Sequence, residues 1–87
     1  MDQVPSVGRI VHYVSYGTPG GEFSSENRAA VITAVYPGSH QVALAVLNPT
    51  GLFFNESVLY DAGERDLMLK GGGVTYRGGT WHWPERV

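Results

Sequence analysis

The sequence predicts one all-β domain over residues 1–87: a small, strongly curved barrel of about five antiparallel strands, with a glycine-rich insertion before the last strand. Three observations predict it. Twelve glycines and five prolines punctuate the chain at short intervals, which leaves no stretch where a helical period can establish itself. The segments between them are rich in Val, Ile, Tyr, Phe and Thr, the residues that suit a pleated, half-buried surface. The central segments are apolar on both faces, whereas an open sheet with one wet face alternates.

Residues 8–16 form the first predicted strand, with Ile10, His12, Val14 and Tyr16 on one face and Arg9, Val11, Tyr13 and Ser15 on the other. Gly17-Thr18-Pro19-Gly20-Gly21 opens a loop that runs to Asn27. At about ten residues it exceeds the roughly two to five of a common hairpin and is a candidate functional loop. Residues 28–36 form the second strand. Pro37-Gly38 then places Pro and Gly where a type II turn wants them, and residues 41–48 return as the third strand. Asn48-Pro49-Thr50-Gly51 fits a type I turn and leads into a fourth strand over residues 52–55.

Beyond this meander, residues 57–61 are extended, residues 62–65 turn, and residues 66–70 are apolar without a period. Gly71-Gly72-Gly73 and Gly78-Gly79 bracket residues 74–77, which reads as a hairpin insertion or a bulged edge strand. Trp81-His82-Trp83 is the last strand, both indoles on one side, ended by Pro84. Burying the indoles to close the barrel is their leading role. The order of strands and loops is that of an SH3-like barrel with residues 17–27 as its long first loop, an analogy that fixes no function.

The hairpin of residues 28–48 is apolar on both sides: Ala30, Ile32 and Ala34 against Ala29, Val31 and Val35, then Val42, Leu44 and Val46 against Ala43, Ala45 and Leu47. Its second face needs a cover. Either another subunit supplies it, approaching closely over Ala29, Ala43 and Ala45, or the tail from Asp61 onward lies across it. The expectation is a homo-oligomer.

Six Lys and Arg against eight Asp and Glu leave the chain near neutral, which argues against nucleic acid, where a clustered basic face provides affinity. The first residues carry neither a basic nor an apolar leader region and no apolar run reaches a membrane span's length, so a soluble, intracellular protein is expected. No cysteine is present for a disulfide or a thiolate zinc site. His12, His40 and His82 lie on different elements without metal-ligand spacing, and neither a metal nor a cofactor is expected. His12 is expected half-buried with a satisfied hydrogen bond, and His82, opposite the tryptophans, is expected to face solvent or a pocket.

Ser15, His12 and Asp61 could be imagined as a triad, but no nucleophile elbow or oxyanion signature accompanies them. Most carboxylates fall in loops. No enzyme is expected. A binding site is better served: the 17–21 loop offers unhindered backbone N–H groups, Tyr13, Tyr16 and Phe23 lie around it, Trp81 and Trp83 offer large flat faces, and Arg28 offers a charge. The candidate ligand-binding residues are Tyr13, Tyr16, Gly17, Thr18, Gly20, Arg28, Asn48, Thr50, Trp81 and His82. The loop's plainer role is a flexible turn.

Four segments carry a family resemblance: His12-Tyr13-Val14-Ser15-Tyr16-Gly17-Thr18-Pro19, Arg28-Ala29-Ala30, Leu47-Asn48-Pro49-Thr50-Gly51-Leu52-Phe53-Phe54 and Gly79-Thr80-Trp81-His82-Trp83-Pro84. Over most of the chain these resemble a family of small proteins, of no settled activity, from actinobacterial bacteriophages. The resemblance departs between residues 61 and 78, where family members are shorter, so residues 67–77 look like an insertion. It implies a phage origin and action in the host cytoplasm, and transfers no catalytic residue. Two readings follow from it as expectations: a counter-defence sponge that sequesters a nucleotide-type immune signal without catalysis, or an interaction module that binds a host or virion protein.

Overall fold

The computed structural model describes residues 3–16, 26–65 and 74–84. Every regular element among them is a strand: β1 (Ile10–Val14), β2 (Asn27–Val35), β3 (Val42–Asn48), β4 (Gly51–Tyr60), β5 (Glu64–Arg65), β6 (Val74–Thr75) and β7 (Thr80–His82). Five of them close a barrel in the order β1-β2-β3-β4-β7, while β5 and β6 pair as a separate two-stranded sheet. This is the all-β barrel the sequence predicts, consistent with a small SH3-like barrel. Among the described residues no helix is long and apolar enough to cross a membrane.

The central meander follows from its turns. Gly38 sits at φ 78°, the left-handed conformation that the third position of a type II turn requires, and Pro37 precedes it. β2 and β3 then pair from Ala29 with Leu47 to Val35 with Val42. The register slips between Ile32 and Ala34 and again where Val42 and Leu44 meet β4. Such bulges bend strands, and bending lets so few strands close a barrel.

β4 runs unbroken over Gly51–Tyr60, where the sequence suggested two pieces, residues 52–55 and 57–61. The polar run Asn55-Glu56-Ser57 that suggested a break falls at the second bulge, so Leu44 pairs with Asn55 and Val42 with Val58. Residues 62–65 are likewise no simple turn, because Glu64 and Arg65 pair with Thr75 and Val74. The glycine-bracketed segment is therefore a hairpin insertion. The expected piece at residues 66–70 lies outside the described residues.

The inward positions of all five barrel strands make the core. Val11, Tyr13, Ala30, Ile32, Val42, Leu44, Val46, Val58 and Trp81 are all buried. Trp81 is the largest of them. Its indole N–H donates to the His40 carbonyl at 2.9 Å, so a side chain from the closing strand ties down the β2–β3 turn. Trp83, on the same side of the strand, meets Trp81 edge-on at 5.3 Å and packs on the core under the Arg9 guanidinium, 4.9 Å from its ring centre. β7 pairs antiparallel with β1 through His12–His82 and Tyr13–Trp81, and parallel with β4 through Leu59–Thr80 and Tyr60–Trp81. β7 thus returns to the barrel wall, while β5 and β6 stand outside it in their own sheet. Among the described residues this leaves the outer face of β3 and β4 open, with Leu47, Leu52 and Phe54 exposed.

Candidate functional site

Two stems carry the long first loop, whose residues Gly17, Thr18 and Gly20 lie outside the described residues. The stems are pinned together. The Ser15 N–H donates to the Glu26 carbonyl at 2.9 Å, and the Glu26 N–H donates to Ser15 Oγ at 3.0 Å. Two residues further along, Arg28 stands opposite Tyr13 in the β1–β2 register. Arg28 shares the inward parity of Ala30 and Ile32, and only its position at the barrel end lets its charged head reach solvent. Nη1 contacts Glu26 Oε2 at 3.2 Å, while Nε is buried with no hydrogen-bond partner.

The same end gathers further polar and aromatic groups. The Tyr13 ring lies edge-on to Phe53 at 6.0 Å. Burial pushes the Tyr13 phenol above its ordinary pKa, and a hydrogen bond with the Asn55 side chain opposes that shift, so the phenol stays neutral. Asn48 ends β3 half-buried, paired with Gly51, and Thr50 is exposed on the turn between them. Tyr16 is exposed, but its ring lies over Gly79, whose φ of 78° and close contact with that ring disfavour a side chain there.

Between this end and the insertion hairpin lies a cleft of about 250 Å³ lined by Val14, Glu26, Asn27, Thr75 and Tyr76. It adjoins the Arg28–Glu26 pair through Glu26. A second hollow of about 290 Å³ sits at the β2–β3 turn among Val4, Pro5, Val35, Tyr36 and Pro37. Among the described residues its lining carries no Lys, Arg, Asp or Glu, and His40 is its one titratable nitrogen group.

Three of the expected ligand-binding residues do not offer a ligand their faces, the first being Tyr13, whose inward position on β1 buries it in the core. Trp81 is wholly buried, with its N–H satisfied and its ring packed between Tyr60 and Trp83, because the closing strand turns it into the core. His82 does not face solvent: it is buried beneath the insertion hairpin, with the Tyr76 ring stacked on it at 3.6 Å and nearly parallel. His12, its cross-strand partner, meets it edge-on at 5.4 Å. Burial and the nearby His12 lower the His82 pKa to about 4, against a smaller opposite pull from Asp61. Its Nδ1 is buried without a hydrogen-bond partner.

Asp61 anchors the hairpin that makes this cover. Its carboxylate accepts the Gly63 N–H at 2.9 Å, the Arg77 N–H at 2.9 Å and Arg77 Nε at 3.3 Å. Burial alone would raise the Asp61 pKa, but these bonds and the Arg77 charge outweigh it and the pKa is lowered.

Sequence reasoning missed Phe53, Asn55 and Glu26 as members of the barrel end, and Tyr76 as the lid over His82. Glu26, two residues before Arg28 at a strand start, is the signal that could have been read as a partner on the same side. Among the described residues no three His, Asp or Glu side chains gather to hold a metal ion. No family model, curated protein or solved structure matches this chain.

Proposed function

We propose that this chain is a non-catalytic binding protein that sequesters a small anionic, nucleotide-type ligand at the loop end of its barrel. The observation that carries the reading is Arg28, a half-buried guanidinium with an unpaired Nε, held among the described residues by the carboxylate of Glu26 beside a cleft walled by Tyr76. Glu26 stands where an anion belongs. A phosphate that displaces it gains charge-assisted hydrogen bonds from the guanidinium, while the cleft beyond has room for one planar ring among Asn27, Thr75 and Tyr76. The resemblance to small phage proteins makes an immune nucleotide signal the natural cargo, and a counter-defence sponge in the host cytoplasm the natural setting.

The test is a thermal-shift and calorimetric panel of mononucleotides, cyclic nucleotides and ADP-ribose derivatives on the whole chain. One class should raise the melting temperature and be recovered chemically unchanged. Arg28→Ala should weaken that binding about tenfold or more, the cost of losing a hydrogen bond to a charged group. Glu26→Gln should tighten it, because the competing carboxylate is gone. If no compound shifts the melting temperature at micromolar concentration, the reading fails.

A second reading, a protein-interaction or assembly module for a host or virion protein, is favoured by the exposed apolar wall around Leu52 and Phe54. Recovery of one stoichiometric protein partner, with no bound small molecule in its mass spectrum, would select it.

A further inference from the structure

We infer that the β5–β6 hairpin is a lid shared by the ligand cleft and the His12–His82 pair, so that filling the cleft and protonating the pair oppose each other. The first half rests on the ligand reading above, the second on the hairpin's own contacts. β5 and β6 form a sheet separate from the barrel, so the hairpin can lift without breaking a barrel ladder. Its two ends are pinned: the Asp61 N–H donates to the Trp81 carbonyl at 2.9 Å, and the Gly79 N–H to the Val14 carbonyl at 2.7 Å. Just inside these pins lie Gly63, at φ 87°, and Gly78, and they give the lid its hinges.

Two contacts latch it. The Asp61 carboxylate accepts the Arg77 N–H and Nε, and the Tyr76 ring stacks on His82 at 3.6 Å. Tyr76 and Thr75 also wall the cleft opposite Val14, Glu26 and Asn27. Lifting one ring therefore removes a wall from the cleft and uncovers His82 together. His82 is 4% exposed, with Nδ1 buried and unpartnered. The groups around it are His12 from β1, Asp61 from the end of β4 and Tyr76 from the hairpin, while Arg77 engages Asp61 and Glu64 of β5 is exposed. A charge on His82 beneath the closed lid faces a second histidine, and the nearby carboxylate is already engaged. Opening admits water to it. A ligand that uses Tyr76 favours the closed lid and a proton favours the open one, so each weakens the other's hold. With a pKa of about 4 under the lid and 6.5 when solvated, the ratio of open to closed lids should rise about tenfold from pH 8 to pH 5.5.

The test is nuclear magnetic resonance on the whole chain, first without ligand. In Tyr76→Ala the His82 ring should take up its proton about tenfold more readily than in the parent. Gly63→Ala should do the same with the ring retained, because its new Cβ would lie 2.7 Å from a Tyr76 ring carbon. Exchange protection of the Arg77 amide, measured against β3 amides, should fall about tenfold between pH 8 and pH 5.5 in the parent and stay level in His82→Phe. A nucleotide that binds in the panel above should restore that protection at pH 5.5. An identical His82 titration in the parent and both variants, or an Arg77 protection that falls equally in His82→Phe, would overturn the lid. A bound nucleotide that leaves Arg77 protection unchanged would overturn the coupling. If no nucleotide binds, the ligand reading fails and the coupling with it, while the ligand-free measurements still decide the lid.

Discussion

Trp81 and His82 are neighbours on one strand, equally hidden, and opposite in what hides them. Trp81 points inward among aliphatic side chains, with its one polar atom satisfied by the His40 carbonyl. His82 points outward, covered by Tyr76 from a small hairpin and abutted by His12, with a ring nitrogen left unpaired. The inner contact is stabilising at any pH. The outer one survives only while its imidazole stays neutral, because a buried charge beside a second histidine is costly. One strand therefore closes the barrel with two seals of different kinds.

The largest expected effect breaks the inner seal. Trp81→Ala removes the biggest core side chain and should cost about 3–5 kcal/mol, much of the stability of a domain this size. Urea unfolding should show a collapsed midpoint, and circular dichroism should lose the fold near 37 °C. A midpoint within measurement error of the parent would mean that Trp81 does not hold the barrel shut.

The outer seal should appear as a pH dependence. His82 has a folded pKa of about 4 against 6.5 when free, so between these values the unfolded chain binds the extra proton. Stability therefore rises with pH across that window. On acidification from pH 6.5 to 4 it should fall by about 2 kcal/mol, after allowance for screening. His82→Phe, which keeps a flat ring under Tyr76, should flatten the profile. Asp61 titrates with a pKa below 3.8, so its contribution is lost at lower pH and is separable from that of His82. An unchanged profile in His82→Phe would assign the dependence elsewhere.

A smaller effect sharpens the comparison at the turn that delivers β7. Gly79 adopts φ 78° and has the Tyr16 ring against it, so Gly79→Ala should cost about 1–2 kcal/mol through strain and collision. Gly38→Ala shares the strained φ but has open space around it, and should cost less. Equal costs in urea titrations would remove the Tyr16 contact from the account.

The parts legible in the sequence were those decided locally. Pro37-Gly38 and Asn48-Pro49-Thr50-Gly51 specify turns by backbone chemistry, and the Val- and Ala-rich runs beside them specify strands, so the meander could be read directly. The closing role of Trp81 was legible because two indoles two residues apart must share a side. What could not be read was set by distant pairing. Asn55-Glu56-Ser57 looks like a strand break until a bulge absorbs it. His82 looks exposed by alternation until Tyr76 arrives from a hairpin whose anchor, Asp61, lies elsewhere in the chain. Arg28 and Tyr13 were legible as separate candidates, but their juxtaposition depends on the β1–β2 register across a long loop.

The short closing strand also governs how quickly the molecule can be made and unmade. β2, β3 and β4 join through tight turns, so their contacts are local and can form early. The β1–β7 pairing, by contrast, brings together residues about seventy positions apart and gains little until both ends have been ordered. With only three residues, β7 is the natural last piece to dock and the first to leave. In hydrogen exchange the amides of β7 and the facing edge of β1 should therefore trade their protons sooner than those of β3, which would give this small barrel a preferred place to open.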